Sequence, residues 1–376
     1  MIKVCHIVNH ITGRADGVYA HLKMIFTLTD KNKFQHYLIF QGGEKIEREL
    51  SELGIKFFVC KSLTKKFSIR AFKEIFSFIK ENEISIIHAH LIKPYVIAGL
   101  LNIILKKKLI FNYHGLFIYK NEYYNVIEKF LYASFHFIIN LCKAAHAALV
   151  PSEKSKQLLL DETKLFPKIL VYYNSYSPYP EKNIDENVLG KINEVKKTNL
   201  IIAIASRLDY EKRINVALYI FAEAVKEREN ISLIIFGEGK QKNELEKYSI
   251  SLGLKNKVYF YGFIENVSVY FKYFDILLFT SEREGLPVTV WEAMGNKLPV
   301  LSPDVGGFKE ILAINKCGLV YSKNNFEEAK EKLIQLIDDE NLRKEMGVNG
   351  FKALNEKYSP DNFKGTIEKI YLDLLS

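Results

Sequence analysis

Residues 276–303 read ILLFTSEREGLPVTVWEAMGNKLPVLSP. An apolar run at 276–281 gives way to an acidic loop with Gly285, and a second apolar run follows at 299–303. Between them, Leu286-Pro287 opens a stretch of helical pattern. Proline suits a first helical position because its φ is already set and its missing N–H would have no partner there. Strand, loop, helix and strand in so short a stretch make one unit of a parallel sheet.

The same rhythm extends outward. Apolar runs recur at 200–206, 232–237, 258–263 and 318–322. In the first half they occur at 2–8, 36–40, 55–60, 85–90, 109–115, 147–152 and 169–175. Helix-like segments separate most of them, such as IRAFKEIFSFIKEN at 69–82, with apolar residues near 3.6 spacing. Strands that are apolar throughout imply parallel sheets covered on both faces. Residues 176–198 break the rhythm with two prolines and a polar run, the mark of a linker. The expected architecture is α/β, with two Rossmann-like domains facing each other across a cleft. They are expected at 1–185 and 198–357, and a terminal helix at 358–376 crosses back to the first. Ligands of such sheets bind beyond the strands' carboxyl ends, so functional residues should follow strands and line the cleft.

Composition excludes several classes. The chain of 376 residues is 48% hydrophobic and 26% charged, which fits a globular protein and not a disordered, coiled-coil or collagen-like one. Cys5, Cys60, Cys142 and Cys317 lie far apart without CxxC spacing. A disulfide framework or structural zinc site is not expected, and a reducing, cytoplasmic setting fits. The opening MIKVCHIVNH reads as a strand and not as a signal peptide. The window 130–150 is long enough to cross a membrane but carries His136, Asn140, Lys143 and His146. A packed helix or one lying at a membrane surface is expected there.

Charge is uneven. Residues 1–190 hold 26 Lys and Arg against 17 Asp and Glu, while the remainder holds 27 of each. All nine histidines precede residue 150. A basic first half suits an anionic membrane, a phosphorylated substrate or nucleic acid, or reflects compositional bias alone. Nucleic acid is disfavoured because no binding motif is present and the aromatics lie in apolar runs.

In 281–302, Glu284 sits in the loop and Glu292 within the helix, placed to meet one ligand at two points. The amides near Gly285, Leu286 and the residue after Pro287 suit an anion or sugar hydroxyls. Taken alone, the two glutamates also read as a helix-dipole residue and a solvated helix face. His88 and His90 share one strand face at a spacing that can bind metal, but no third ligand is evident.

The pattern EGLPxxxxEAM, followed by PV and by Gly306, Gly307 and Glu310, resembles glycosyltransferase family 4 (group 1), the retaining nucleotide-sugar transferases of the GT-B fold. SRLDYEK (206–212), FGEG (236–239), YGFI (261–264), DGVYAHL (16–22) and NYHG (112–115) match further landmarks in order. The resemblance implies that Arg207 and Lys212 meet the donor diphosphate, whose developing negative charge needs fixed cations. It further implies that Glu284 lies beside the transferred sugar and Glu292 grips the ribose. Backbone at Phe263 and Ile264 holds the base, Gly17 lets a loop approach the ligand, and His114 contacts the donor sugar. Ser206 and Arg213 stand where the family often has glycine.

The resemblance implies a donor that is a nucleotide sugar, UDP-linked, with no cofactor and no obligatory metal. It implies an acceptor that is a glycan or lipid-linked precursor of bacterial polysaccharide or lipopolysaccharide. A sugar-nucleotide epimerase of the same fold is the alternative enzyme, and its own catalytic signature is missing. A nicotinamide dehydrogenase is disfavoured, since no GxGxxG follows the first strand. The basic first domain, the aromatic stretch 117–142 and Lys106, Lys107 and Lys108 suggest peripheral docking on the inner membrane face. Those lysines also read as a helix cap.

Overall fold

The computed structural model describes residues 1–11, 13, 16–65, 68–114, 125–163, 166, 168–176 and 184–376. The chain divides into two compact units. One comprises Met1–Asn174 with Pro360–Ser376, and the other Ser175–Ser359. The division falls at 174/175, ahead of the boundary expected at 185, and the terminal helix belongs with the first unit.

In the first unit the elements run β1 (Ile2–Val8), α1 (Gly17–Leu28), β2 (Phe34–Phe40), α2 (Glu44–Glu52), β3 (Lys56–Val59), α3 (Ile69–Glu81), β4 (Ile86–His90), α4 (Ile92–Leu105), β5 (Lys108–Asn112), α5 (Val126–Leu141), β6 (Ala147–Val150), α6 (Glu153–Glu162) and β7 (Ile169–Val171). The sheet order is β3-β2-β1-β4-β5-β6-β7, and the pairings are parallel. The second unit continues with α7 (Glu186–Lys196), β8 (Leu200–Ala205), α8 (Ile214–Glu227), β9 (Ile231–Phe236), α9 (Lys242–Ser251), β10 (Val258–Gly262), β11 (Ile276–Leu278), α10 (Val288–Gly295), β12 (Val300–Pro303), α11 (Phe308–Leu312), β13 (Gly318–Tyr321), α12 (Phe326–Asp338) and α13 (Glu340–Glu356). Its order is β10-β9-β8-β11-β12-β13, also parallel. Helix α14 (Pro360–Leu375) packs Phe363, Ile367 and Tyr371 against Val4, Tyr19 and Leu38 of the first unit.

The apolar runs become strands because helices cover both faces. In β4 every residue is buried, and in β9 likewise. Polar side chains start the helices: Asp16 accepts from the amides of Val18 and Tyr19, and Asn125 and Glu128 form a reciprocal cap on α5. In each sheet the order reverses beside its first strand, between β1 and β4 and between β8 and β11. Such switch points open a crevice at the strands' carboxyl ends. Among the described residues no helix is long and apolar enough to cross a membrane.

Candidate active site

In the second unit, residues 206–213 leave β8 and residues 279–287 leave β11, the two strands at the switch point. Buried Leu208 anchors the first loop, whose backbone bonds Glu238 and Gln241 after β9. Two glycines there are obligatory. A Cβ at Gly237 (φ +135°) would collide with Ser206 O, and one at Gly239 would lie 2.3 Å from Leu208 O. Thr280 ties the loops together by donating its hydroxyl between Lys212 O and Arg213 O, 3.0 Å from each.

This brings Lys212 to Glu284. Nζ lies 2.6 Å from Oε1, and the side chains are only 17% and 9% exposed. Ser281 donates to the same oxygen at 2.7 Å. The carboxylate is thus held by two donors, and the ammonium is neutralised until a stronger anion competes for it. Gly306 (φ +52°) lets β12's loop support this one from below, since a Cβ there would lie 2.2 Å from Gly285 O and 2.3 Å from Glu284 O. Gly307 N–H donates to Gly285 O at 2.8 Å. Leu286 is buried. Pro287 proves to be the cap residue with extended backbone, and α10 begins one residue later at Val288. The amides at this helix start therefore belong to Val288, the residue after Pro287, and its successors.

Arg213 explains its departure from the family pattern. It has φ +50°, the left-handed conformation that glycine adopts freely. Its guanidinium is held by Glu282 at 2.8 Å and by Asn324 at 2.7 Å. Arg207 is exposed and pairs with Asp209 at 2.5 Å. The structure does not bring it to Glu284, so the two expected cations sit in different surroundings.

Glu292 lies one turn into α10. It is partly exposed as a residue, yet burial around its carboxyl pushes its pKa up to about 7, with a hydrogen bond to Ser268 pulling the other way. This is no solvated helix face. Phe263, just after β10, is exposed and Ile264 half-buried, beside Gly262 at φ +74°. A surface depression of about 590 Å³ beside β13, lined by Lys309, Lys316 and Lys332 among others, includes none of these residues.

In the first unit the switch point carries rings. His6 of β1 stands opposite His88 of β4 in the register, with His36 on the neighbouring β2. His36 Nδ1 lies 3.1 Å from His6 Nε2, His6 Nδ1 3.1 Å from His90 Nε2, and His90 Nδ1 3.0 Å from His114 Nε2. His21 of α1 bonds Asn174 Oδ1 at 2.6 Å. Burial pushes His21 down to about 4 and His36 and His88 down to about 3. It also holds His6, His90 and His114 well below the ordinary histidine value, with neighbouring rings adding to the effect. Leu91, directly after His90, has φ +71° and ψ 163°, a conformation unusual for leucine and typical of functional turns.

His6 is the third ring beside His88 and His90 that sequence reasoning missed, and ligand atoms of the three lie within 4.8 Å. His88 and His90 stack at 26°, and His6 and His90 at 29°. Lone pairs lie in the ring planes, so near-parallel rings do not aim them at one point. Gly17 is the exposed first residue of α1, and no described atom lies within 4 Å of where its Cβ would be. Internal packing therefore does not require a glycine there. Gly115 and residues 117–124 of the aromatic stretch lie outside the described residues.

Two parallel-sheet Rossmann-like units, one with a cation–carboxylate pair and a helix start at its switch point, define the GT-B class. Residues 185–353 match the family described as Glycosyl transferases group 1, and residues 16–177 match Glycosyltransferase Family 4. The chain belongs to this family of glycosyltransferases. It is 30% identical over 212 residues to an uncharacterised glycosyltransferase, MJ1607, of Methanocaldococcus jannaschii, covering 54% of each chain. It is 25% identical over 379 residues to the alpha-monoglucosyldiacylglycerol synthase of Streptococcus pneumoniae, covering 94% of this chain and 79% of that one. For several curated relatives the match spans about half their length or less. The crystal structure of Anabaena Alr3699/HepE in complex with UDP-glucose superposes with a TM-score of 0.80 at 16% identity, over 99% of this chain and 100% of that one.

Proposed function

We propose that the chain moves a sugar from a UDP-linked donor to a glycan or lipid-linked acceptor, with retention of anomeric configuration. The Lys212–Glu284 pair at the carboxyl ends of β8 and β11 carries this reading. A diphosphate arriving at the loop offers Lys212 a doubly charged partner in place of one carboxylate oxygen. Lys212 then stabilises the leaving diphosphate, while Glu284, still held by Ser281, is released to accept from a sugar hydroxyl. Arg207 adds a second cation from the same loop. Glu292 accepts from the ribose, backbone at Phe263 and Ile264 holds the base, and the amides after Pro287 face the sugar phosphate. The leaving phosphate helps to take the acceptor proton, so no side-chain nucleophile is required. His114 and Gly17 serve the sugar from the first unit's loops, and no resident metal is invoked.

The donor assignment draws support from a structural neighbour solved with UDP-glucose. The acceptor class draws support from relatives named as alpha-monoglucosyldiacylglycerol synthase and, from Staphylococcus aureus, poly(ribitol-phosphate) alpha-N-acetylglucosaminyltransferase. A lipid-linked acceptor and a peripheral place on an anionic membrane face fit one surface in particular. Val126, Ile127, Phe130, Phe137 and Leu141 are exposed along α5, with Phe130 71% and Leu141 70% accessible.

Thermal unfolding with a panel of nucleotide sugars tests the donor. A true donor at 100 times its dissociation constant adds ~2.7 kcal/mol, and a panel without any stabilising sugar nucleotide would overturn the reading. Proton NMR of the product's anomeric centre tests retention, since an inverted product excludes it.

A further inference from the structure

The row Thr29–His36–His6–His90–His114 runs through the buried face of the first sheet to the carboxyl end of β5. Burial keeps these rings neutral, so each carries one proton and has one bare nitrogen. A neutral imidazole in such a row must donate on one side and accept on the other. One end therefore sets the direction for all.

Only one contact in the row has a fixed direction. Thr29 Oγ1 lies 2.7 Å from Ile25 O and 2.8 Å from His36 Nε2. The carbonyl can only accept, and two oxygens at that distance repel unless a proton lies between them. The single hydroxyl proton is thus committed to Ile25 O, and Thr29 Oγ1 must accept from His36 Nε2–H. His36 Nδ1 is then bare and accepts from His6 Nε2–H. His6 Nδ1 accepts from His90 Nε2–H, and His90 Nδ1 from His114 Nε2–H.

Asn112 completes the far end. Its amide nitrogen lies 2.8 Å from His114 Nε2 and 3.5 Å from Nδ1, while its buried Oδ1 lies toward His88 without a partner at hydrogen-bond distance. The two ends of an asparagine amide exchange by a half-turn. Turned, Oδ1 is a second acceptor of the His114 Nε2–H that His90 Nδ1 also accepts, a three-centre hydrogen bond. The amide then faces His88, which neighbours Asn112 and whose buried Nε2 also has no partner. His88 Nδ1–H is left to donate to Tyr371 Oη at 2.9 Å.

We propose that Thr29, His36, His6 and His90 form a one-way hydrogen-bond relay that positions the proton of His114 on Nε2 and leaves Nδ1 as an acceptor. The four are positioning residues. Under the proposed function, on which this last step alone rests, His114 accepts a hydrogen bond from a sugar hydroxyl.

The test is nitrogen-15 NMR of histidine-labelled protein at pH 7.5, with the His114 signals assigned by their loss in His114→Gln. The relay requires Nδ1 bare and Nε2 protonated in the parent protein. A proton on Nδ1, or on both nitrogens, overturns it; only the assignment uses a variant, and His114→Asn serves for it if His114→Gln does not fold. Thr29→Ser keeps the hydroxyl and should keep that tautomer, whereas Thr29→Val should yield a mixture of the two. An unchanged tautomer in folded Thr29→Val would overturn the anchoring role. UDP-glucose should move the Nδ1 signal upfield, as for a lone pair that accepts a hydrogen bond. If Nδ1 is bare but UDP-glucose stabilises the protein without moving the signal, the relay stands and His114's place in the proposed function falls.

Discussion

The two units share a topology and differ in what they put at the same place in it. Each sheet reverses order beside its first strand, between β1 and β4 or between β8 and β11. At the first of these the chain sets neutral, buried imidazoles in contact. At the second it sets a lysine and a glutamate 2.6 Å apart, with no histidine anywhere in the unit. Neutral rings can hold direction without charge, which suits hydroxyl groups. A cation already balanced by a carboxylate can exchange partners, which suits a phosphate that arrives and leaves. One fold thus supplies two kinds of chemistry by changing a few residues at strand ends.

The widest difference between the units should appear in acid. Burial lowers the pKa of His21 to about 4 and of His36 and His88 to about 3, against an unfolded value near 6.5. The unfolded chain therefore binds protons first as pH falls. The stability these rings contribute is present above pH 6.5 and is lost progressively below it. At pH 5.5 each costs about 1.4 kcal/mol, or about 4 kcal/mol for the three. Hydrogen exchange at pH 7.5 and 5.5 should find the loss in the first unit, while the histidine-free unit stays protected. Equal loss in both would remove the distinction.

Next in size is the charge exchange. Lys212→Ala should lower turnover by on the order of 100-fold, as for losing one donor to a developing anion. Arg207→Ala tests whether the exposed cation matters equally. A folded Lys212→Ala enzyme with near-parent turnover would break the assignment of the second switch point.

How much of this contrast was legible in the sequence follows from what each signal depends on. Strands were legible because a parallel strand buried on both faces is apolar along its whole length, as in IIHAH of β4 or ISLIIF of β9. Glu284 was legible because a loop, a glycine and a proline mark it locally. Lys212 was named from its own motif but its pairing with Glu284 was not, since the two lie 72 residues apart and only the register of β8 beside β11 brings them together. His6 and His36 were missed for a related reason. Each sits inside an apolar strand and looks like an ordinary core residue until the β1–β2 and β1–β4 registers align the rings. The available clue was the confinement of every histidine to the first half. Arg213's left-handed backbone was visible only as an unexplained substitution.

Glu292 gives a smaller effect with a defined sign. With its pKa raised to about 7, the carboxyl is part-protonated in neutral solution. Ribose hydroxyls donate to the ionised form, so nucleotide affinity should fall as pH drops from 8 to 6, and binding should release protons. Glu292→Ala should weaken nucleotide binding by ~1–3 kcal/mol. Calorimetry in two buffers measures both. A pH-independent affinity in the parent protein, matched by Glu292→Gln, would place the ribose elsewhere.

The smallest effect concerns the surface that sets the first unit apart in charge. The exposed apolar row of α5 ends at Leu141, and the chain beyond it returns to α4 through Asn102. The Asn102 amide donates to both Lys107 O and Ala144 O at 2.7 Å, which gathers Lys106, Lys107 and Lys143 at one end of the row. Lys106 is also the left-handed cap of α4, so the capping reading holds for it without removing its charge from the surface. An apolar row flanked by lysines is the arrangement that partitions to an anionic interface. Each lysine near such a surface contributes ~1 kcal/mol, screened over ~8 Å at physiological salt. Lys106→Gln keeps a long side chain at the cap and removes only the charge. It should lower co-sedimentation with phosphatidylserine-containing vesicles by roughly fivefold at low salt and leave UDP-glucose binding unchanged. A parent protein that ignores such vesicles at low salt would end the docking proposal and leave the chemistry of the second unit untouched.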